Sequence, residues 1–310
     1  MGSAGERDDS RHALLSKARP VQQTSVEAFV GHRHESRDRP SPPRSEFGTY
    51  QVKELEVDSA LTDCSLPSRC WSLNPYTGCS HDCAYCYVPD VAHLERGNWG
   101  DYVVAKTNLP RKLEHELKTK PRRSVFLSSA TDPYQPAEDR HRITRRSLEL
   151  LVREGWPVLI LTRSPLVERD LDLLTQLEDV AVGMSIPTID DEARQVLEPT
   201  APPIEGRLNA ISALADAGLE PFVNVAPAYP LTNGIRPDEV AEAIADAGAA
   251  EVFLSRWRYL DDVVPVLADR VDGSIYGDFV DAVQDESYYD RLLASLQGAF
   301  RRAGIPLRRM

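Results

Sequence analysis

All five cysteines of the chain fall between Cys64 and Cys86, and the 224 residues that follow contain none. A disulfide framework would be spread along the sequence, so this clustering points to metal binding or thiol chemistry. The densest group is TGCSHDCAYCYVP, in which Cys79, Cys83 and Cys86 stand at C-x3-C-x2-C spacing. Three thiolates so close together on a turn can bind three corners of a cubic iron–sulfur cluster, whereas a cluster held wholly by protein takes four. With three, one iron keeps an open site that a small molecule can chelate, and soft thiolates suit such ligation. Two other readings stand beside this one. Cys64, Cys70, Cys83 and Cys86 could form a four-thiolate zinc site, since Cys83 and Cys86 have C-x2-C spacing, or all five could be buried thiols. Cys64 and Cys70 precede the motif and carry no signal of their own.

Such a loop must be positioned by regular elements, and WSLNPY just before it reads as a first strand. Further on, short β-branched or aliphatic runs alternate with longer amphipathic stretches. The runs are SVFLSSA (124–130), VLILT (158–162), VAVGMSI (180–186), FVNVAPA (222–228) and EVFLS (251–255). Between them Ile204, Leu208, Ile211 and Leu214 recur at helical spacing before Gly218, as do Val240, Ala243, Ile244 and Ala247 before Gly248. Leu292, Leu293, Leu296 and Phe300 mark a last helix closed by Gly304. Strands apolar on both faces that alternate with helices predict an α/β fold with a parallel sheet. In such folds function sits at the carboxyl ends of the strands, whether or not the sheet closes into a barrel.

The 310 residues leave room for two average domains or one large α/β core. Residues 1–48 have eight Lys or Arg against seven Asp or Glu and almost no apolar periodicity, which predicts a disordered or loosely packed tail. The formal net charge of the whole chain is −12, so the acidic excess belongs to the remainder and works against a broad hold on nucleic acid, without forbidding a local basic groove. With no membrane-length apolar run and no signal-peptide core, the expected location is the cytoplasm.

Beyond the cysteines, the phrases NPYTGCSHDCAYCY, SSATDPYQPAE, LTRSPLVERDLDLL, VGMSIPT and LEPTAPPIEGRLNAISALADAGL carry a resemblance. The chain resembles the radical S-adenosylmethionine (SAM) superfamily, whose motif is C-x3-C-x-aromatic-C with Tyr85 in the aromatic place, and within it the branch related to spore photoproduct lyase. The likeness covers roughly residues 70–230 and weakens toward 256. It implies a partial (β/α)6 barrel of the TIM type over 49–256, with 257–310 as an extension covering the barrel mouth. The implied cofactors are a 4Fe-4S cluster on Cys79, Cys83 and Cys86, and SAM across the strand ends.

By the same resemblance Ser129, Thr131 and Asp132 meet the amine or ribose of SAM, and Arg163 meets its carboxylate. Ser185 is a further contact. Tyr85 and Tyr87 lie beside the cluster, and Asn224 and Ala226 line the adenine. Glu198 and Arg207 form an internal pair rather than a catalytic one. The implied activity is reductive cleavage of SAM to a 5′-deoxyadenosyl radical that abstracts hydrogen from an unassigned substrate, as a lyase or another radical enzyme. A one-electron reductant such as ferredoxin or flavodoxin is the implied partner. The branch's best-known member uses a cysteine as hydrogen donor where this chain has Ser129, so nucleic acid is not the favoured substrate. Tyr134 and Tyr259 remain as other donors. A photoproduct lyase and a non-catalytic iron–sulfur or zinc protein are the alternatives.

Overall fold

A computed structural model describes residues 50–64, 70–256 and 273–308. The tail expected over 1–48 and Tyr259 lie outside these residues. The strands are β1 (Gln51–Leu55), β2 (Leu61–Asp63), β3 (Trp71–Leu73), β4 (Tyr76–Thr77), β5 (Tyr102–Lys106), β6 (Val125–Leu127), β7 (Val158–Thr162), β8 (Val180–Ser185), β9 (Phe222–Val225), β10 (Glu251–Leu254) and β11 (Leu307–Arg308). The main sheet has the order β2-β3-β6-β7-β8-β9-β10-β11. Its pairs are all parallel except β2 with β3.

The run β3 to β10 supplies the six parallel strands expected, with helices in the connections, and the fold is α/β as the runs imply. Helices Ile143–Arg153, Ile204–Asp216 and Pro237–Asp246 fill three of these crossovers. The sheet is open: among the described residues no pairing joins β2 to β11. The final helix, Glu286–Arg302, packs on Pro237–Asp246 and leads into β11, which extends the sheet beyond β10. A second sheet of order β1-β5-β4 was not expected from the sequence and flanks the cysteine loop. No helix among the described residues is long and apolar enough to cross a membrane.

Strand residues alternate between two apolar environments, as a period of two requires. Val125, Leu127, Val158, Ile160, Val182, Met184, Val223 and Val252 join the helices in the main core, against side chains such as Leu148, Ile211, Leu214 and Ile244. Each large aliphatic side chain so buried contributes about 1.5–3 kcal/mol. The opposite face has a smaller cluster of Leu159, Phe222 and Phe253, with Phe126, Leu161 and Ala181 only partly covered. At Gly183 on this face a Cβ would lie 2.1 Å from the Phe222 ring, so glycine is what lets the ring lie flat on β8. The result is an apolar floor that is partly open, at the side of the sheet away from the helices.

Candidate active site

The cysteine loop follows β4 and is held at several points along its backbone. Gly78 turns it with φ +81°, where a Cβ would come within 2.5 Å of the Tyr102 carbonyl. Gln135, wholly buried, accepts from the Ser80 N–H at 3.1 Å and donates to the Gly78 carbonyl at 3.2 Å. Thr200 donates to the Ser80 carbonyl, and the Ala84 N–H donates to the Leu197 carbonyl at 2.8 Å. Segments after β6 and β8 thus clamp a loop that begins after β4.

Cys79, Cys83 and Cys86 are all free thiols, Cys83 buried and the other two partly so. Burial pushes the Cys79 thiol up to about 12, helped by the Asp132 charge. Burial also raises Cys83 well above the usual thiol value and raises Cys86, and Cys83 feels the charge of both other cysteines. Among the described residues no three His, Cys, Asp or Glu side chains gather as a single bound ion needs. A cubic cluster sets a different demand, because each thiolate goes to a different iron. Three free, desolvated and mutually interacting thiols on one loop fit that donor set. Cys64 and Cys70 are joined in a disulfide, which takes from the four-thiolate zinc alternative two of its ligands.

Buried polar atoms without a hydrogen-bond partner gather around this loop and at the strand ends. They include both ring nitrogens of His81, Ser128 Oγ, Thr131 Oγ1 and Asn224 Oδ1. Such orphans are uncommon in a folded protein and call for a missing partner. Burial lowers the His81 pKa and outweighs the Asp132 carboxylate 3.6 Å away, so the ring is neutral.

The strand-end residues divide into those committed to the protein and those open to a ligand. Asp132 accepts from Thr162 Oγ1 at 2.6 Å, the Arg163 N–H at 2.7 Å and the Tyr134 N–H at 2.8 Å, which ties the β6 loop to β7. Ser129 is exposed, and its Oγ lies 2.6 Å from Ser72 Oγ and 3.4 Å from Asn74 Nδ2. Asn74 is oriented by the Ala130 N–H, which donates to its Oδ1 at 3.1 Å. Ser185 is buried on β8, in register with Asn224 on β9. Ala226 is partly buried beyond the end of β9. Tyr87 is exposed at 40% beside Cys86, while Tyr85 is buried.

Tyr85 leads to an ionic centre. Glu198, wholly buried, accepts through Oε1 from the Tyr85 hydroxyl, from Arg163 Nε at 3.3 Å and from the Tyr229 hydroxyl at 3.3 Å. Its Oε2 accepts from Arg207 Nη2, so the internal Glu198–Arg207 pair forms. Arg207 also donates to the Ser185 carbonyl at 3.0 Å and the Pro202 carbonyl at 2.9 Å. Burial alone would raise the Glu198 carboxyl, but Arg207 and Arg163 hold it down at about 2. Arg163 Nη2 donates to the Tyr85 hydroxyl at 3.0 Å, so part of its fork is taken up within the protein. Gln135, Tyr229, Ser72 and Asn74 escaped sequence reasoning. Alternation along WSLN would have put Ser72 and Asn74 on one face, but no local signal marks Gln135.

The radical SAM superfamily model matches residues 73–230. An uncharacterised protein of Mycobacterium tuberculosis is 38% identical over 222 residues, which are 67% of this chain and 65% of that protein, less than two-thirds of its length. A radical SAM Nα-GlyT isomerase of a Pseudomonas phage is 28% identical over 50% of this chain and 32% of its own. Spore photoproduct lyase complexed with dinucleoside spore photoproduct superposes with a TM-score of 0.64 over 83% of this chain and 81% of that one. At 14% identity that likeness is one of fold. The chain belongs to the radical SAM superfamily, a family of enzymes that use a 4Fe-4S cluster and SAM for radical reactions.

Proposed function

We propose that Cys79, Cys83 and Cys86 hold a 4Fe-4S cluster, that SAM binds at its fourth iron, and that the substrate lies on the face of the sheet opposite the helix-packed core. When bound, cluster and cofactor supply a 5′-deoxyadenosyl radical that abstracts hydrogen, and the protein supplies orientation and exclusion of water. The observation that carries this reading is the loop of three free thiols at the carboxyl ends of the strands, ringed by unpartnered buried polar atoms.

Thr131 Oγ1 and Asn224 Oδ1 are atoms suited to the polar parts of SAM, with Ser185 beside Asn224. Arg163 Nη1 makes no hydrogen bond among the described residues, which leaves that part of the guanidinium for a carboxylate. Tyr85 is buried with its hydroxyl on Glu198, and Tyr87 is exposed next to Cys86 in the chain. Ser129 is exposed just beyond β6, and its hydroxyl, together with Ser72 and Asn74, offers polar groups to a ligand at that strand end. Phe126, Leu161 and Ala181 give the face opposite the helix-packed core a partly open apolar surface on which a substrate can lie.

A photoproduct lyase reaction is not the reading we favour. Ser129 stands where the resemblance places a hydrogen-donating cysteine, and a serine O–H bond is too strong to take that role. Tyr134 is wholly buried. A duplex would need a basic surface, and the densest run of arginines is Arg140, Arg142, Arg145 and Arg146; of these Arg145 is bound to Asp170 and Asp172, both at 2.8 Å, and Arg146 to backbone carbonyls. The electron would come from a cytoplasmic donor of the ferredoxin or flavodoxin class. The test is anaerobic reconstitution with iron and sulfide, then dithionite and SAM. Release of 5′-deoxyadenosine is expected, and none from fully loaded protein refutes the reading.

A further inference from the structure

Glu198 lies between two guanidiniums, and the three groups together carry one net positive charge. Glu198 and Arg207 are wholly buried, and the Arg163 side chain is 21% exposed. This excess charge stands directly behind the cysteine loop. Tyr85, which lies between Cys83 and Cys86 in sequence, gives its hydroxyl to Glu198 and receives Arg163 Nη2 at 3.0 Å, and the Arg163 guanidinium is 6.0 Å from the centre of its ring. Little solvent screens the arrangement, so unit charges here act over several ångströms.

We propose that Arg163, Glu198 and Arg207 form a fixed electrostatic bias on the thiolate site, whose net positive charge favours the reduced state of the group the three cysteines hold. The proposal rests on the cluster reading above. Its sign follows from charge alone, because reduction adds one negative charge and is favoured by positive charge nearby. Replacing Glu198 by glutamine raises the net charge of the trio to two. Replacing Arg163 by glutamine lowers it to zero. The two variants must therefore move the reduced fraction in opposite directions. Loss of a purely structural support would not produce such a reversal.

The test is a redox titration of the reconstituted full chain without SAM, with the reduced cluster followed by electron paramagnetic resonance. At a fixed potential E198Q is expected to raise the ratio of reduced to oxidised cluster about tenfold, and R163Q to lower it about tenfold, each equal to about 59 mV for one electron. R163K, which keeps the charge, should match the wild type within threefold. So should Y85F, which keeps the ring and all three charges. E198Q leaves two buried guanidiniums without their carboxylate, and if it fails to fold the contrast between R163Q and R163K decides alone. An R163Q ratio within threefold of wild type, a shift in the same direction as E198Q, or a Y85F shift as large as that of R163Q overturns the proposal. Protein that folds but takes up no iron–sulfur cluster overturns the functional reading as well, and so the two failures are told apart.

Discussion

Replacing Gln135 by leucine tests whether the cysteine loop is shaped by the protein before any ligand arrives. The side chain is wholly buried and makes two hydrogen bonds to the loop backbone, to Ser80 N–H and the Gly78 carbonyl. Leucine has similar bulk but can make neither bond, and both backbone groups would be left unpaired in a buried setting. At about 1–1.5 kcal/mol for each lost bond, the loop should be destabilised by about 2–3 kcal/mol. Every 1.36 kcal/mol is a factor of ten, so the open population of the loop should rise about 30- to 160-fold. The assay is alkylation of Cys79, Cys83 and Cys86 in iron-free, oxygen-protected protein, read by mass spectrometry under conditions where reclosing outpaces alkylation, so that the rate tracks the open population. Equilibrium unfolding in urea, run in parallel, separates local opening from global loss. Alkylation within threefold of wild type, with an unchanged urea midpoint, would show that Gln135 does not set the loop.

Two further outcomes follow from the same geometry. Gly183→Ala places a Cβ 2.1 Å from the Phe222 ring and should cost about 1–3 kcal/mol by overpacking, measured by urea unfolding, with Phe222→Leu in the same chain recovering most of the loss. The Glu198 carboxyl is held at about 2 against an ordinary 4.5, so its contribution to stability is complete above about pH 4.5 and is lost as the pH falls toward 2. R163Q removes one of the two guanidiniums responsible, and its stability should fall less steeply than wild type over that range. An equal slope in both proteins would show that Arg163 takes no part.

The five strand runs seen in the sequence correspond to β6 through β10, with VLILT matching β7 at both ends. They were legible because both faces of these strands are apolar and helices of clear periodicity separate them. The flanking sheet was not. The residues of β1 are exposed throughout and include the adjacent charges Lys53 and Glu54, β4 is two residues long, and β5, although Gly97 and Gly100 precede it, pairs among the described residues only with these two. The pair Glu198 and Arg207 could be anticipated through the resemblance to the radical SAM superfamily. That Arg163 and Tyr85 join it could not be, because those contacts span 35 and 113 residues.

The amino-acid order alone therefore determined the three-thiolate loop, the series of parallel strands and the end of the sheet at which chemistry belongs, since each depends on neighbours a few residues apart. Tertiary structure alone decided that Cys64 bonds to Cys70, that Gln135 clamps the loop, that Asp132 is spent on linking two strands, and that one carboxylate gathers two arginines and two tyrosines. These outcomes turn on strand register and burial. Register determines which distant side chains meet, and burial determines how strongly their charges are felt.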